Sequence, residues 1–325
     1  MRTLRAGVIG CGNHMYKFLW DRMKELPVTL EAACDIDEGR LSRFARFYGA
    51  VQTYTDYRRL IAESGVDILI CAAPADVHYE ACKLGLLTGK HVFVEKTPCL
   101  NAQQAEELKE LQHRTGLSVM VGFNRRYATA YRMAKEIISR REFGGVLLYQ
   151  AKYHAGAYPS EDYFYFNHVI HHLDLAEYLL GGVTITHAEK IKVTDRKVGI
   201  NVTFVCETGT VGNIQSASFQ HSTFPVERVE LIGNERNVIV DNLKRLEYNR
   251  PGEPREHTGE TVLADSGDAL VWNINHGIRP DYSYYGYEAE LRHFIEAAAA
   301  GWKPESGFDK AVRVMQLTDQ IRHLF

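Results

Sequence analysis

The chain has 325 residues, 45% hydrophobic and 24% charged, with a formal net charge of −3 and a sequence pI of about 6.5. This is the make-up of a globular protein long enough for two domains with sizeable cores. It has no basic excess to neutralise a nucleic-acid backbone and no apolar run near the roughly 20 residues of a membrane span.

The opening Met1-Arg2-Thr3-Leu4-Arg5 leads into an apolar stretch that soon ends in Gly-Cys-Gly, not in a signal-peptide cleavage site. The six cysteines (Cys11, Cys34, Cys71, Cys82, Cys99 and Cys206) contain no CxxC pair. Free thiols, a reducing compartment and a cytoplasmic location are expected.

From residue 4 to about 122, strand-length apolar runs alternate with helical patterns. The expected strands are Leu4–Ile9, Val28–Cys34, Val51–Tyr54, Val66–Ala72, His91–Val94 and Leu117–Val121. The expected helices are Met15–Leu26, Glu38–Tyr48, Tyr57–Ala62, His78–Leu87 and Ala102–Leu111. Apolar strands alternating with helices predict α/β architecture, a doubly wound parallel sheet covered on both faces, over a domain of residues 1–122.

The first strand runs through Gly10-Cys11-Gly12-Asn13-His14-Met15 into the first helix. Gly10 permits the turn, and Gly12 lets backbone approach a pyrophosphate at the positive helix end. Asp35 closes the second strand, where an acid accepts hydrogen bonds from both ribose hydroxyls and repels a 2′-phosphate. NAD is therefore expected as cofactor, with Gly10, Gly12, Asn13, His14 and Asp35 as contacts. The third small residue of the fingerprint is replaced by Met15, and His14 stands where an apolar residue is usual. After the fourth strand, Ala73-Pro74 makes a turn and His78 opens the next helix, adding Ala73, Pro74 and His78 as candidate cofactor contacts. His91–Val94 ends in Glu95-Lys96-Thr97-Pro98, which places a charged pair at the ligand-collecting end of a parallel strand.

Beyond residue 123 the strand patterns become adjacent: Val146–His154, Val183–Val193, Ile200–Cys206, Val211–Phe219, Glu227–Ile232 and Asn237–Val240. Ile200–Phe219 reads as a hairpin turning at Glu207-Thr208-Gly209. Residues 123–325 are thus expected to form an α+β domain with a mostly antiparallel open sheet. Asn167, His171, Asp174 and Tyr178 fall on one helical stripe. Near them, His154 and Tyr282 are taken as substrate contacts among many aromatic residues suited to a polyhydroxylated ligand. His168, His171 and His172 have ligand-like spacing, but no HExxH pattern accompanies them, and no metal is expected. The last segments, including a Ser306-Gly307-Phe308-Asp309 helix start, read as structural.

Taken together, Gly-x-Gly-Asn, the strand-end Asp35, the Ala-Pro-x-x-x-His turn, Gly89–Pro98 and Val121-Gly122-Phe123-Asn124-Arg125-Arg126-Tyr127 resemble the glucose–fructose oxidoreductase / inositol dehydrogenase (Gfo/Idh/MocA) family. The resemblance covers nearly the whole chain. It implies an NAD(H)-dependent oxidoreductase interconverting a secondary alcohol and a ketone on a sugar, sugar nucleotide or cyclitol. It assigns Lys96 a place between nicotinamide and substrate, with Glu95 and Lys96 near the cofactor, and gives His171 a catalytic place. It implies a homo-oligomer, dimer or tetramer, joined through the open sheet face. The chain departs from the family in having Thr97 before the proline of Glu-Lys-Pro and Asn167 where an acid is usual. A neutral amide there can orient but cannot carry charge. The alternative is a non-catalytic dinucleotide-sensing regulator of the same fold, against which stand Lys96 and His171.

Overall fold

Leu4–Ile9 forms β1, and five further strands join it: β2 (Val28–Cys34), β3 (Gln52–Tyr54), β4 (Ile68–Cys71), β5 (His91–Glu95) and β6 (Val119–Gly122). The computed structural model describes residues 2–252, 267–274 and 283–325. All pairings among these six strands are parallel, in the order β3-β2-β1-β4-β5-β6. The strand order reverses between β1 and β4, and ligands of such sheets bind at that point. Residues of β1, β4, β5 and β6 are almost wholly buried, as expected for strands covered on both faces.

Helix limits follow their caps. Asp37 accepts from Arg40 N–H at the start of Glu38–Tyr48, and Gly49 ends that helix at φ +78°. Asn101 accepts from Gln104 N–H before Ala102–Thr115, which stops at Gly116. The helix after β1 is wound as a π-helix over Met15–Trp20, with Met15 fully buried.

The chain divides into two compact units, Met1–Asn124 with Gly286–His323, and Arg125–Tyr285 with Leu324–Phe325. The helices Tyr287–Ala300 and Phe308–His323 therefore belong with the parallel sheet, whereas the sequence reading placed them in the second domain. Val121 N–H donates to Ser306 O at 2.8 Å, and the Phe93 and Phe294 rings lie 5.8 Å apart. An amphipathic stripe reveals that a face is buried but not which sheet receives it. Ser306, expected as a cap, gives its hydroxyl to Val121 O at 3.0 Å, while Phe308 N–H is met by Gln112 Oε1 at 3.0 Å.

The second unit is built on an eight-stranded sheet: β7 (Leu148–His154), β8 (Val183–Thr194), β9 (Lys197–Cys206), β10 (Val211–Ala217), β11 (Val226–Ile232), β12 (Asn237–Asp241), β13 (Arg245–Pro251) and β14 (Gly267–Asn273). The order is β14-β13-β12-β11-β7-β10-β9-β8. Only β7–β10 is a parallel pair, and β9–β10 is the expected hairpin. β13 and β14 were not anticipated. In β13 only Leu246 and Tyr248 are buried, between charged neighbours, so the alternation is short. On β7, Tyr149 and Ala151 face inward, while Leu148, Gln150 and Lys152 are exposed.

Candidate active site

Gly10 turns the chain at the end of β1 with φ +90°. A Cβ there would sit 2.2 Å from the Ala72 carbonyl oxygen, whereas one at Gly12 would meet nothing within 4 Å. Gly10 is thus required by the turn itself. Gly12 leaves open space that the fold does not use.

That space belongs to a cleft of about 370 Å³ at the carboxyl ends of β1, β2 and β4, lined by Gly10, Gly12, Asp35, Ile36, Ala73 and Pro74 among others. Five of the expected contacts therefore share one cavity. Asp35 is nearly buried, and both its oxygens are fixed in advance: Oδ2 accepts Cys11 N–H at 2.8 Å, and Oδ1 accepts Asp37 N–H at 2.9 Å. Each oxygen keeps a second acceptor direction for a hydroxyl donor. Ile36, 88% exposed, offers an apolar surface for a base. Arg40, Thr55, Tyr57 and Val77 also line the cleft, and no motif had pointed to them. A roomier groove of about 490 Å³ runs past Glu38, Ala45 and Arg59, but it contains neither glycine nor Asp35.

The cleft fits a dinucleotide on its own geometry. The backbone is bare at Gly12, the helix starts beside it, and an acceptor pair waits at Asp35. Asn13 is exposed at the helix start.

Two expected contacts have other partners. His78 is 2% exposed. Its Nε2 accepts Ala73 N–H at 2.8 Å, which leaves the proton on Nδ1 to donate to Thr97 O, also at 2.8 Å. Burial pushes this ring down to about 4, so it stays neutral and acts as a strut between the Pro74 turn and the segment after Lys96. Glu95 is 5% exposed and turned inward; a Cβ on Gly122 would lie 3.1 Å from its carboxyl group. Its Oε1 lies 3.0 Å from His14 Nε2. His14 and Glu95 thus face one another. Lys96 follows β5 as a partly buried residue, and the Lys96–Thr97 peptide is cis.

In the second unit, one continuous helical stretch carries the other candidates: Glu161–Phe164, a π-wound Tyr165–Val169, then Ile170–Leu179. Ser160 caps it by accepting Tyr163 N–H. Asn167, partly buried, donates from Nδ2 to Tyr163 O at 3.2 Å. His171 is 9% exposed. Asp174 is 1% exposed and held by Arg126 at 2.6 to 2.9 Å, so the last acid of the stripe is a structural ion-pair partner.

The neighbouring histidines are also committed to the fold. His168 Nδ1 lies 2.9 Å from Tyr158 OH, and its Nε2 lies 2.8 Å from Tyr153 O. Its ring stacks on Tyr153 at 3.8 Å and 2°. Burial brings His168 to about 3 and His172 to about 4. Among the described residues, no three His, Cys, Asp or Glu side chains are grouped to hold a metal ion.

The sequence reading named His154 where the site has Tyr153. Tyr153 faces the helix side, against His168 and 6.4 Å from the His171 ring. Successive residues of β7 point to opposite faces. His154 lines a cleft of about 300 Å³ with Asn201, Gln215 and Phe219, so it is not a partner of His171. Tyr282 lies outside the described residues.

Behind Tyr153 stands a buried charge cluster. Arg125 clasps Glu227 through Nε at 3.0 Å and Nη2 at 2.6 Å, Tyr131 OH donates to Glu227 at 2.8 Å, and the Arg125 guanidinium lies 4.8 Å over the Tyr153 ring. Burial alone would raise the Glu227 carboxyl. Arg125, His172 and the hydrogen bonds bring it instead to about 2.

Residues 4–123 match the model described as the oxidoreductase family, NAD-binding Rossmann fold. The scyllo-inositol 2-dehydrogenase (NAD(+)) of Bacillus subtilis (strain 168) is 25% identical over 319 residues, covering 93% of this chain and 88% of that protein. A solved dehydrogenase from Chromobacterium violaceum superposes with a TM-score of 0.89 at 21% identity, covering 100% of this chain and 96% of the other. A levoglucosan dehydrogenase solved with NADH and levoglucosan gives 0.81 at 17% identity, covering 98% and 96%. With the Gly10–Gly12 turn, the Asp35 acceptor pair and Lys96 beyond β5 in place, the chain belongs to the Gfo/Idh/MocA oxidoreductase family.

Proposed function

We propose that this chain is an NAD(H)-dependent oxidoreductase that interconverts a secondary alcohol and a ketone on a sugar, sugar nucleotide or cyclitol. The observation that carries this is the cleft in which a bare Gly12 backbone and a pre-oriented Asp35 share one wall system with the Pro74 turn. The inositol and levoglucosan dehydrogenases among its relatives support the substrate class. Bound NAD supplies the hydride acceptor. Gly10 and Gly12 shape the loop for the pyrophosphate, Asp35 receives the adenosine ribose hydroxyls, and Ile36 lies under the base.

The protein must also move the proton of the reacting hydroxyl. Lys96, on a rigid strand end and partly desolvated, is the primary candidate. His171 is the second, with Asn167 orienting it or the substrate. The absence of a carboxylate at position 167 shifts more of this work to Lys96.

The finer parts of the reading have separate supports. All six cysteines are unpaired and buried, which suits the cytoplasm, and among the described residues no helix is long and apolar enough to cross a membrane. Leu148, Val205, Val211 and Phe219 are exposed large hydrophobics on the second unit, and a second copy of the chain covering the open sheet face would bury such residues. Light scattering on purified protein tests that dimer or tetramer.

The activity itself is tested by following NADH absorbance across cyclitols, aldoses, anhydrosugars and sugar nucleotides. Lys96→Ala is expected to lose turnover by at least about 100-fold while keeping NAD affinity. Full activity in that variant removes Lys96 from the mechanism. NAD binding without turnover of any substrate would favour a dinucleotide sensor.

A further inference from the structure

His14 occupies a helix-start position that the dinucleotide fingerprint leaves to an apolar residue, and its ring reaches back to the strand that precedes Lys96. His14 Nε2 and Glu95 Oε1 are 3.0 Å apart. Both atoms are buried, and neither has a hydrogen bond to any other described residue. The carboxylate has little room to leave, because it is packed against Gly122. The imidazole is held from two helices, by Phe18 at 5.2 Å and by the Tyr287 edge at 5.5 Å.

A buried carboxylate requires a compensating partner. The titratable groups acting on Glu95 are His14, Lys96 and His78. His78 is excluded as a partner, since both its ring nitrogens serve backbone groups. The choice is between His14 and Lys96. Burial would raise the Glu95 carboxyl, and His14, acting ahead of Lys96, brings it below its ordinary value.

We propose that His14 is a positioning residue: by holding Glu95 it keeps that carboxylate from capturing the adjacent Lys96 ammonium, and it ties the cofactor-binding loop to the strand end that presents Lys96. The proposal rests on Lys96 being the proton-handling group. It adds a role for a residue type that the dinucleotide fingerprint does not require. With His14 replaced by an apolar side chain, Glu95 has one cationic neighbour left. Lys96 is then drawn into an ion pair, which favours its protonated form and lowers its nucleophilicity.

The test reads Lys96 directly, without substrate. Reductive methylation of the full chain, quantified at Lys96 by peptide mass spectrometry, is compared in wild type, His14→Met, His14→Gln and His14→Met with Glu95→Gln. His14→Met is expected to slow Lys96 labelling about three- to tenfold. His14→Gln, which keeps a donor near the Nε2 position, is expected to stay within about twofold of wild type. The double variant removes the competing carboxylate and is expected to recover the wild-type rate. Unchanged labelling in His14→Met, or no recovery in the double variant, overturns the proposal. Turnover measured in parallel separates the two readings: Lys96 labelling that follows this pattern while Lys96→Ala remains fully active sinks the catalytic assignment but leaves the positioning intact. Thermal midpoints and fluorescence titration with NADH on the same variants identify any that have lost the fold or the cofactor site. If His14→Met falls into that group, the comparison of His14→Gln with the Glu95→Gln single variant decides the question. Faster Lys96 labelling in Glu95→Gln than in wild type would overturn the claim that His14 already keeps the carboxylate away.

Discussion

His78 Nδ1 donates to the Thr97 carbonyl at 2.8 Å, one residue past Lys96. Through its other nitrogen the same ring accepts Ala73 N–H, so one neutral imidazole joins the Pro74 turn to the Lys96 segment. His78→Leu leaves two buried backbone groups without partners. Each such loss costs about 1–3 kcal/mol, and we expect the urea unfolding free energy to fall by about 2–4 kcal/mol. An unchanged midpoint would remove the strut.

The two glycines of the loop should fail in different ways. Gly10→Ala brings a Cβ against the Ala72 carbonyl at positive φ and is expected to destabilise the fold by at least ~3 kcal/mol. Gly12→Val projects into open cleft, so the thermal midpoint should hold while NAD affinity drops at least about tenfold. Calorimetry and NADH titration on both variants check this. Equal effects on stability would contradict the assignment of separate roles.

Asp35 has two duties, bracing the loop through Cys11 and Asp37 and receiving the ribose. Asp35→Asn halves the acceptor capacity and removes the charge that repels a 2′-phosphate. The ratio of NADP to NAD affinity is expected to rise at least about tenfold, with a loss of total stability of about 1 kcal/mol. A constant ratio in competitive titrations would show that coenzyme choice is made elsewhere in the cleft.

Asn167→Asp exchanges an amide that donates to Tyr163 O for a carboxylate that cannot. If residue 167 acts on the reacting imidazole, the new charge favours imidazolium. The pH–rate profile should then move upward on its acidic limb by up to about one unit. A superimposable profile would leave residue 167 with packing alone.

Acid should unfold the second unit through groups that the fold keeps uncharged. Burial holds His168 at about 3 and His172 at about 4, below the ordinary 6.5. Their neutral forms favour the folded state fully above pH 6.5, and this contribution is lost as pH falls toward those depressed values, because the unfolded chain takes up protons first. Glu227, at about 2 against an ordinary 4.5, contributes stability present above 4.5 and lost below it. Urea midpoints should therefore decline from pH ~6.5 downward, before any carboxylate titrates. His172→Leu should flatten the first part of that decline.

The loop, Asp35 and the strand order of the parallel sheet were legible because each is local: a glycine needs its turn, and a strand needs its apolar run. β1 and β2 appear with the expected limits. Partners distant in sequence were not legible. Arg125 and Glu227 are 102 positions apart, and nothing in either neighbourhood signals the other. His154 was chosen over Tyr153 because composition marks a strand end but not its inward face; a one-residue error reverses the side. His78 and Glu95 lay in the right motif with different duties, since a motif fixes position in the fold but not which way a side chain turns.

The return of Gly286–His323 to the unit begun by Met1–Asn124 constrains how the protein is made. Until the final helices leave the ribosome, the parallel sheet lacks the layer that covers Phe93 and Val121. The intervening unit has its strands and buried charge pairs complete by Tyr285, and it can fold while synthesis continues. The cofactor cleft, though encoded first, matures last, and in the nascent chain its exposed apolar strands are the segment in need of a chaperone.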